Sequence, residues 1–262
     1  MRSVKRVWGT LFLLLAMIVI LCPVSVQAVK KTGWVKSEKQ YYYYNAKGKK
    51  VHGLKTIAGE KYYFDPEGKQ LTGWQKIGSH YYFFCLGNGS RGYMKTDCTV
   101  NGVRLSESGK AVKKGNKKRL QVLTMASKIV NTVTKPAMKK KQKMKAVWDF
   151  LQTHFEYTID TMEFYESEEW EVNYALAMFQ GRKGNCYGLA SAWAFLASAC
   201  GCTSVNVVSS TAHGWVEISG RIYDPSWERV DPENFYYGRS YKDSGKNGSP
   251  TYAQGRIFVK KV

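Results

Sequence analysis

The spacing of apolar and polar positions changes along this chain, and each change predicts a different element. Residues 7–21 form an apolar run behind Arg2, Lys5 and Arg6, and Val26-Gln27-Ala28 closes the segment with small residues. That is the pattern of a cleaved secretory leader over 1–28. The run is shorter than the ~20 residues a bilayer span needs, so the mature chain is expected to begin at Val29 with no stable membrane span. A new period follows. Gly33-Trp34, Gly53-Leu54 and Gly73-Trp74 recur every 20 residues, with aromatic clusters between them at 41–44, 62–64 and 81–84. Asn45-Ala46-Lys47-Gly48-Lys49 and Asp65-Pro66-Glu67-Gly68-Lys69 read as hairpin turns. A unit this small cannot bury its own aromatics, so the period predicts an all-β solenoid of stacked hairpins over 29–115.

The period then becomes helical. Val122, Ala126, Ile129 and Val133 share one helix face, Pro136 interrupts, and Val147, Phe150, Leu151 and His154 resume the spacing. Apolar positions at Leu189, Trp193, Leu196 and Cys200 predict a third helix, with Asn185 as its N-cap and Gly201 as its stop. Residues 205–209 read as a strand. Two more β-rich runs, 212–218 and 221–227, are joined by Ser219-Gly220, a two-residue hairpin loop. Such a loop pairs Ile218 with Arg221. His213 and Asp224 then lie on one face as diagonal neighbours, ~7–8 Å apart between Cα atoms. An odd loop would put them on opposite faces.

Charge sharpens the division. The chain is +20 overall, with +13 over residues 29–118 and +4 over 119–262. So basic a first half favours anionic partners. For a secreted chain that means an anionic cell-wall polymer rather than nucleic acid. Residues 113–119 read as a basic linker, which places a second domain over 116–262. The acidic stretch at 163–171 reads as a solvated face. Outside the leader there are five cysteines, an odd number, so at least one thiol stands outside any bridge. Cys85 and Cys98 could pair. A zinc site from Cys186, Cys200, Cys202 and His213 is disfavoured, because one helix separates Cys186 from Cys200 and no CxxC pair is present.

Cys186 falls in the first turn of its helix, where free N–H groups and the positive dipole end favour a thiolate. A thiolate that attacks an acyl carbon needs an imidazole to shuttle its proton and a carboxylate to fix the imidazole tautomer. Cys186, His213 and Asp224 supply that set. The Cys186 backbone N–H is the natural first oxyanion donor, with Tyr174 and Gln180 as candidates for a second. Trp215 and Trp227 read as packing residues.

Two resemblances follow from these residues. The pattern Gly-Trp, Tyr-Tyr-Phe-Asp, Gly-Lys, Thr-Gly over residues 32 to about 115 resembles the cell-wall-binding repeats of choline-binding and glucan-binding proteins. It implies that Trp34, Tyr42, Tyr43, Tyr62, Tyr63, Trp74, Tyr81 and Tyr82 cage choline or contact sugars, so that the wall ligand is choline, teichoic acid or a glycan. Leu54 replaces Trp in the second unit, which weakens a cage there. The motifs Asn-Cys-Tyr-Gly-Leu-Ala, Ala-His-Gly-Trp-Val and Tyr-Asp-Pro-Ser-Trp, within about residues 140–230, resemble the transglutaminase-like superfamily. That resemblance implies an α+β papain-like fold, no metal and no organic cofactor. It assigns Cys186 as nucleophile, His213 as base and Asp224 as orienter, acting on protein or peptide amides. Hydrolysis is the expected outcome for so small a catalytic half. A crosslinking transglutaminase and a non-catalytic wall-bound adhesin or scaffold are the alternatives.

Overall fold

The computed structural model describes residues 30–86, 91–159, 164–210, 212–245, 251–252 and 255–262. The leader expected over 1–28 lies outside them. Residues 31–262 form one compact unit, and no helix of the described residues is long and apolar enough to cross a membrane.

The 20-residue period is a structural period. Strands β1 (Gly33–Ser37) and β2 (Gln40–Tyr44) pair antiparallel, as do β3 (Gly53–Ile57) with β4 (Glu60–Phe64) and β6 (Gly73–Ile77) with β7 (His80–Phe84). Their registers are identical: Gly33 faces Tyr44, Gly53 faces Phe64 and Gly73 faces Phe84. Each aromatic cluster is therefore the second strand of a hairpin. Asp65–Lys69 is a hairpin turn as expected, joining β4 to the short β5 (Gln70–Leu71). The tighter turns within the first two hairpins fall at Glu38-Lys39 and Ala58-Gly59, all at positive φ. Glu-Lys carries no turn signal in sequence, so that turn is not legible there. The hairpins form separate sheets, and rings pack from one to the next. Trp34 meets Tyr62 at 4.8 Å between centroids, and Tyr63 stacks on Phe84 at 5.9 Å. A last small hairpin, β8 (Thr99–Val100) and β9 (Val103–Arg104), follows.

Helix α1 (Lys117–Val133) begins within the basic stretch expected as a linker. The third hairpin packs directly on it, and Trp74, Phe83, Val103 and Leu105 share one apolar core with Leu120, Val122 and Ala126. Helices α2 (Lys140–His154), α3 (Trp170–Gly181) and α4 (Cys186–Ala199) follow. The two-stranded parallel ladder of β10 (Glu156–Tyr157) and β11 (Lys183–Gly184) leads into α4. Strand β12 (Val205–Ser209) lies inside a five-stranded antiparallel sheet. Its order is β15 (Tyr237–Arg239), β14 (Arg221–Tyr223), β13 (Gly214–Ile218), β12, β16 (Phe258–Lys261). The short helix α5 (Trp227–Val230) follows β14.

Helix α4 is buried nearly all round, between α1 and α3 on one side and β12 and β13 on the other, as its predominantly apolar and small-residue composition requires. It ends in a paired 6→1 and 5→2 arrangement: Cys202 N–H donates to the Ala197 carbonyl and Gly201 N–H to that of Ser198. In the acidic stretch Glu166 and Glu168 are exposed as expected, and Glu171 departs from expectation. Glu171 is 1% exposed and accepts from Arg119 Nη2 at 2.5 Å, while Glu169 lies 3.5 Å from the same guanidinium. Arg119 ties the start of α1 to the start of α3, so this acid belongs to a buried ion pair and not to a solvated face. Glu163 lies outside the described residues.

Candidate active site

The thiol is positioned by its helix cap. Asn185 holds extended backbone and its side-chain oxygen accepts from Gly188 N–H at 3.2 Å, so Cys186 is the first residue of α4 and is buried. The histidine arrives at the start of a sheet strand. Gly214, the residue after His213, lies against the first turn of α4, and a Cβ there would sit 2.8 Å from Tyr187 Cδ1 and 3.2 Å from Tyr187 Cα. Only glycine lets β13 approach that closely, and this approach sets His213 beside Cys186. The Ser219-Gly220 turn has both residues at positive φ, the mirror-image geometry that two-residue hairpins favour. It pairs Ile218 with Arg221 and Val216 with Tyr223. The register is the even one, and Asp224 comes to the His213 side of the sheet.

His213 Nε2 donates to Asp224 Oδ2 at 2.5 Å. Cys186 lies close enough to the same imidazole to raise its pKa, and with Nε2 engaged by Asp224 the ring nitrogen left for the thiol is Nδ1. Asp224 is wholly buried. Its Oδ1 accepts from Ser226 Oγ at 2.8 Å, from Trp227 N–H at 3.0 Å and from Ser226 N–H at 3.2 Å. Its Oδ2 accepts a second donor, the Tyr252 hydroxyl, at 2.9 Å. A buried carboxylate with this many donors is fully satisfied and rigidly placed.

Residues 127–232 match the family model of the transglutaminase-like superfamily. Ahead of them, residues 32–50 match the cell wall binding repeat and residues 51–96 the choline-binding repeat. Among solved structures, CbpJ from Streptococcus pneumoniae TIGR4 is 31% identical, over 31% of this chain and 28% of its own, with a TM-score of 0.29. Choline binding protein F from Streptococcus pneumoniae is 31% identical over the same shares, with a TM-score of 0.28. The choline binding domain of Spr1274 in Streptococcus pneumoniae is 23% identical, over 32% of this chain and 98% of its own, with a TM-score of 0.28. The chain thus spans little more than a quarter of CbpJ or of choline binding protein F. No curated protein matches the chain.

Electrostatics in the transglutaminase-like segment favour a charged histidine. Burial works against the imidazolium, but the Asp224 carboxylate, and after it Cys186, outweigh burial and push His213 up to about 10. Burial also opposes charge on Asp224. His213, Trp227 N–H and the Ser226 hydroxyl overcome it and hold that carboxyl below its ordinary value. The other two thiols of this half are poor rivals. Burial raises both, Cys200 far above its usual range and Cys202 to about 11. Cys186 and Cys200 occupy opposite ends of α4, too far apart along the helix to share a zinc ion.

Trp215 and Trp227 flank the His213 ring, Trp215 nearly parallel to it at 6.1 Å and Trp227 edge-on at 6.5 Å. Tyr174 on α3 packs 5.5 Å from Tyr187; burial raises its hydroxyl pKa, and Cys186 adds to the rise. Gln180 is exposed near the end of α3. Two residues without a role in the sequence reading belong to this site. Tyr157, beside Gly184 in the β10–β11 ladder, has its hydroxyl pKa raised by burial and then by Cys186 and Asp224. Tyr252 sits under Asp224. Tyr157 is findable as the aromatic of a short strand just after α2; Tyr252 carries no sequence signal.

Of the repeat aromatics, Tyr62 and Trp74 are buried, and Trp74 donates its indole N–H to Asn101 Oδ1 at 3.0 Å. Trp34, Tyr42, Tyr43, Tyr63, Tyr81 and Tyr82 are half-buried. Trp34 gathers the densest cluster, with Tyr62, Tyr43 and Phe64 within 5.8 Å, and the Arg91 guanidinium stands 4.8 Å from its ring centroid. A cation thus already occupies an aromatic face there.

Proposed function

We propose that the protein is a wall-associated thiol enzyme that opens amide bonds of proteins or peptides. The observation that carries this reading is the chain of contacts Cys186–His213–Asp224. Its thiol lies at a helix N-terminus, and its carboxylate grips Nε2 so that Nδ1 is left for sulfur. In this reading Cys186 attacks the carbonyl carbon. His213 carries the thiol proton and delivers it to the departing amine, and Asp224 holds the ring and balances its charge. The Cys186 N–H is one oxyanion donor. The second donor in this reading is one of two neighbouring tyrosine hydroxyls, Tyr157 beside the strand that leads into α4 or Tyr174 packed on Tyr187, each kept protonated by burial. The papain-like arrangement and a solenoid of stacked repeats belong to the same reading. The repeats would hold the enzyme on choline- or teichoic-acid-bearing wall at the cell surface.

Hydrolysis is the favoured outcome of the acyl-enzyme, and the test offers both outcomes at once. A peptide or glutamine amide is supplied with millimolar labelled primary amine. Free acid as the main product, absent with Cys186→Ala, supports the hydrolase. Dominant amine incorporation makes the protein a crosslinking enzyme, and no product with either protein removes the enzymatic reading.

A further inference from the structure

The turn that carries Asp224 is anchored from outside the triad. Asp224 Oδ1 takes its three donors from Ser226 and Trp227, at the start of α5, so the carboxylate follows wherever α5 sits. Helix α5 has four residues and none of them is buried, so no apolar core of its own holds it. Its holds are polar. Glu228 Oε2 accepts from Tyr236 N–H at 2.5 Å on one side. On the other, Arg229 reaches the C-terminal end of α2. Its Nε donates to Gln152 Oε1 at 2.7 Å, its Nη1 to the Phe155 carbonyl at 2.5 Å and its Nη2 to the Leu151 carbonyl at 2.8 Å. Gln152 returns the contact, donating from Nε2 to the Pro225 carbonyl at 3.1 Å.

Arg229 is half-buried, and no ion pair among the described residues engages it. Its charge is met instead by the carbonyl end of α2, where the helix dipole is negative. Three separate acceptors suit the planar fork of a guanidinium, which a lysine ammonium does not reproduce. Phe155 leads directly into β10, β10 pairs with β11, and β11 runs through Asn185 into Cys186. The contacts therefore close a ring. It passes from Cys186 through His213 and Asp224 to the α5 turn, then through Arg229 and Phe155 and along the β10–β11 ladder back to Cys186.

We infer that Arg229 is a positioning residue for the triad, locking the Asp224 turn to the segment that leads into Cys186 and so fixing the carboxylate on His213. Arg229 acts through Asp224, within the triad reading above, and not on substrate. The His213 ring reports this without turnover. Asp224, Cys186 and the Tyr252 ring are the titratable groups that face that imidazole. Its NMR titration in the wild type should have a midpoint pushed up to about 10. In Arg229→Ala the Asp224 turn loosens, and the midpoint should fall by about one pH unit or more, a tenfold change in proton affinity. His52 and His80, in the hairpin array, should keep theirs. Arg229→Lys keeps the charge but not the fork, and its midpoint should fall between the two. Arg229→Ala added to Asp224→Asn should lower the midpoint no further than Asp224→Asn alone, because the carboxylate it acts through is gone. A wild-type midpoint in Arg229→Ala and Arg229→Lys, or in whichever of them folds, would overturn the role. So would an equal further fall on top of Asp224→Asn, or parallel shifts at His52 and His80. A wild type without amide turnover, but with the midpoint lowered in Arg229→Ala, removes the enzyme reading and leaves Arg229 in place. An active wild type with no change of midpoint does the reverse.

Discussion

The hairpin array and the thiol site solve opposite problems. In the array, equivalent residues lie 20 positions apart in the same register, and each contact is a local strand pair plus a ring from the next unit. In the site, residues 186, 213, 224 and 252 come from a helix start, the entry to a strand, a strand end and a late turn, and each appears once. Periodic function is redundant and should erode gradually under substitution. Convergent function has no second copy and should fail abruptly. The two regions nevertheless meet, because the third hairpin belongs to the core that supports α4.

The abrupt end of that comparison is Cys186. Replacing it with Ala should reduce amide turnover by ~10³-fold or more, as loss of a covalent nucleophile does in hydrolases of this logic. Iodoacetamide should modify Cys186 before Cys200 or Cys202, both held as thiols by burial. Peptide mapping reads the order. Earlier labelling of Cys200, or activity surviving in Cys186→Ala, removes the convergent site.

Asp224→Asn comes next, with a loss of ~10²–10⁴-fold at neutral pH from a misoriented ring. The pH profile separates orientation from general damage. His213 is pushed up to about 10, so wild-type activity should persist through alkaline pH and fall as pH rises through about 10. Without the carboxylate only Cys186 is left to oppose the burial that disfavours the imidazolium, so the falling limb should move to lower pH. The same sign governs stability. A histidine with a raised folded-state pKa contributes fully below its unfolded value of ~6.5, and that contribution is lost as pH climbs towards about 10. Melting temperature against pH should show this decline in the wild type and much less of it in Asp224→Asn.

The junction of the two regions gives a smaller, thermodynamic effect. Gly53 and Gly73 are equivalent in the period and both have positive φ, +70° and +76°. A Cβ at Gly53 would meet nothing within 4 Å, so Gly53→Ala should cost only the left-handed backbone strain, ~1–2 kcal/mol. Gly73→Ala adds the overlap with Ser127 Oγ and disturbs the Trp74–Ser127 bond, for a further ~1–3 kcal/mol. Denaturant melts of the two variants measure the difference directly. Equal costs would mean that the third hairpin is as independent of the helices as the second.

What can be read from sequence follows the same division. The period places the strands of the array but not the Glu38-Lys39 turn, whose residues lack turn chemistry. The even hairpin loop and the Asn185 cap bring Cys186, His213 and Asp224 together, because each is a local rule acting on residues within a few positions. The shared core is not legible. Residues 113–119 look like a linker by charge, and only the packing of Trp74 against α1 shows the continuity. Glu171 reads as solvated for the same reason, since its partner Arg119 is 52 residues away.

Tyr252 is the extreme case, 28 residues beyond Asp224 with no periodicity around it. Its hydroxyl donates to Oδ2, the oxygen that also accepts from His213 Nε2, and competes for the charge that holds the imidazolium. Tyr252→Phe keeps the ring against Trp215, 5.2 Å away, and removes only that donor. The loss should be at most the net value of one hydrogen bond to a charged group, ~1.5–3 kcal/mol, so turnover should fall by roughly 10- to 150-fold or less. The direction of the pH shift is the sharper reading. With one competitor gone the carboxylate pulls harder on His213, so the alkaline limb should move up, opposite to Asp224→Asn. A limb that moves down, or a melting temperature that collapses with turnover, would make Tyr252 a packing residue and reduce the convergent site to three members.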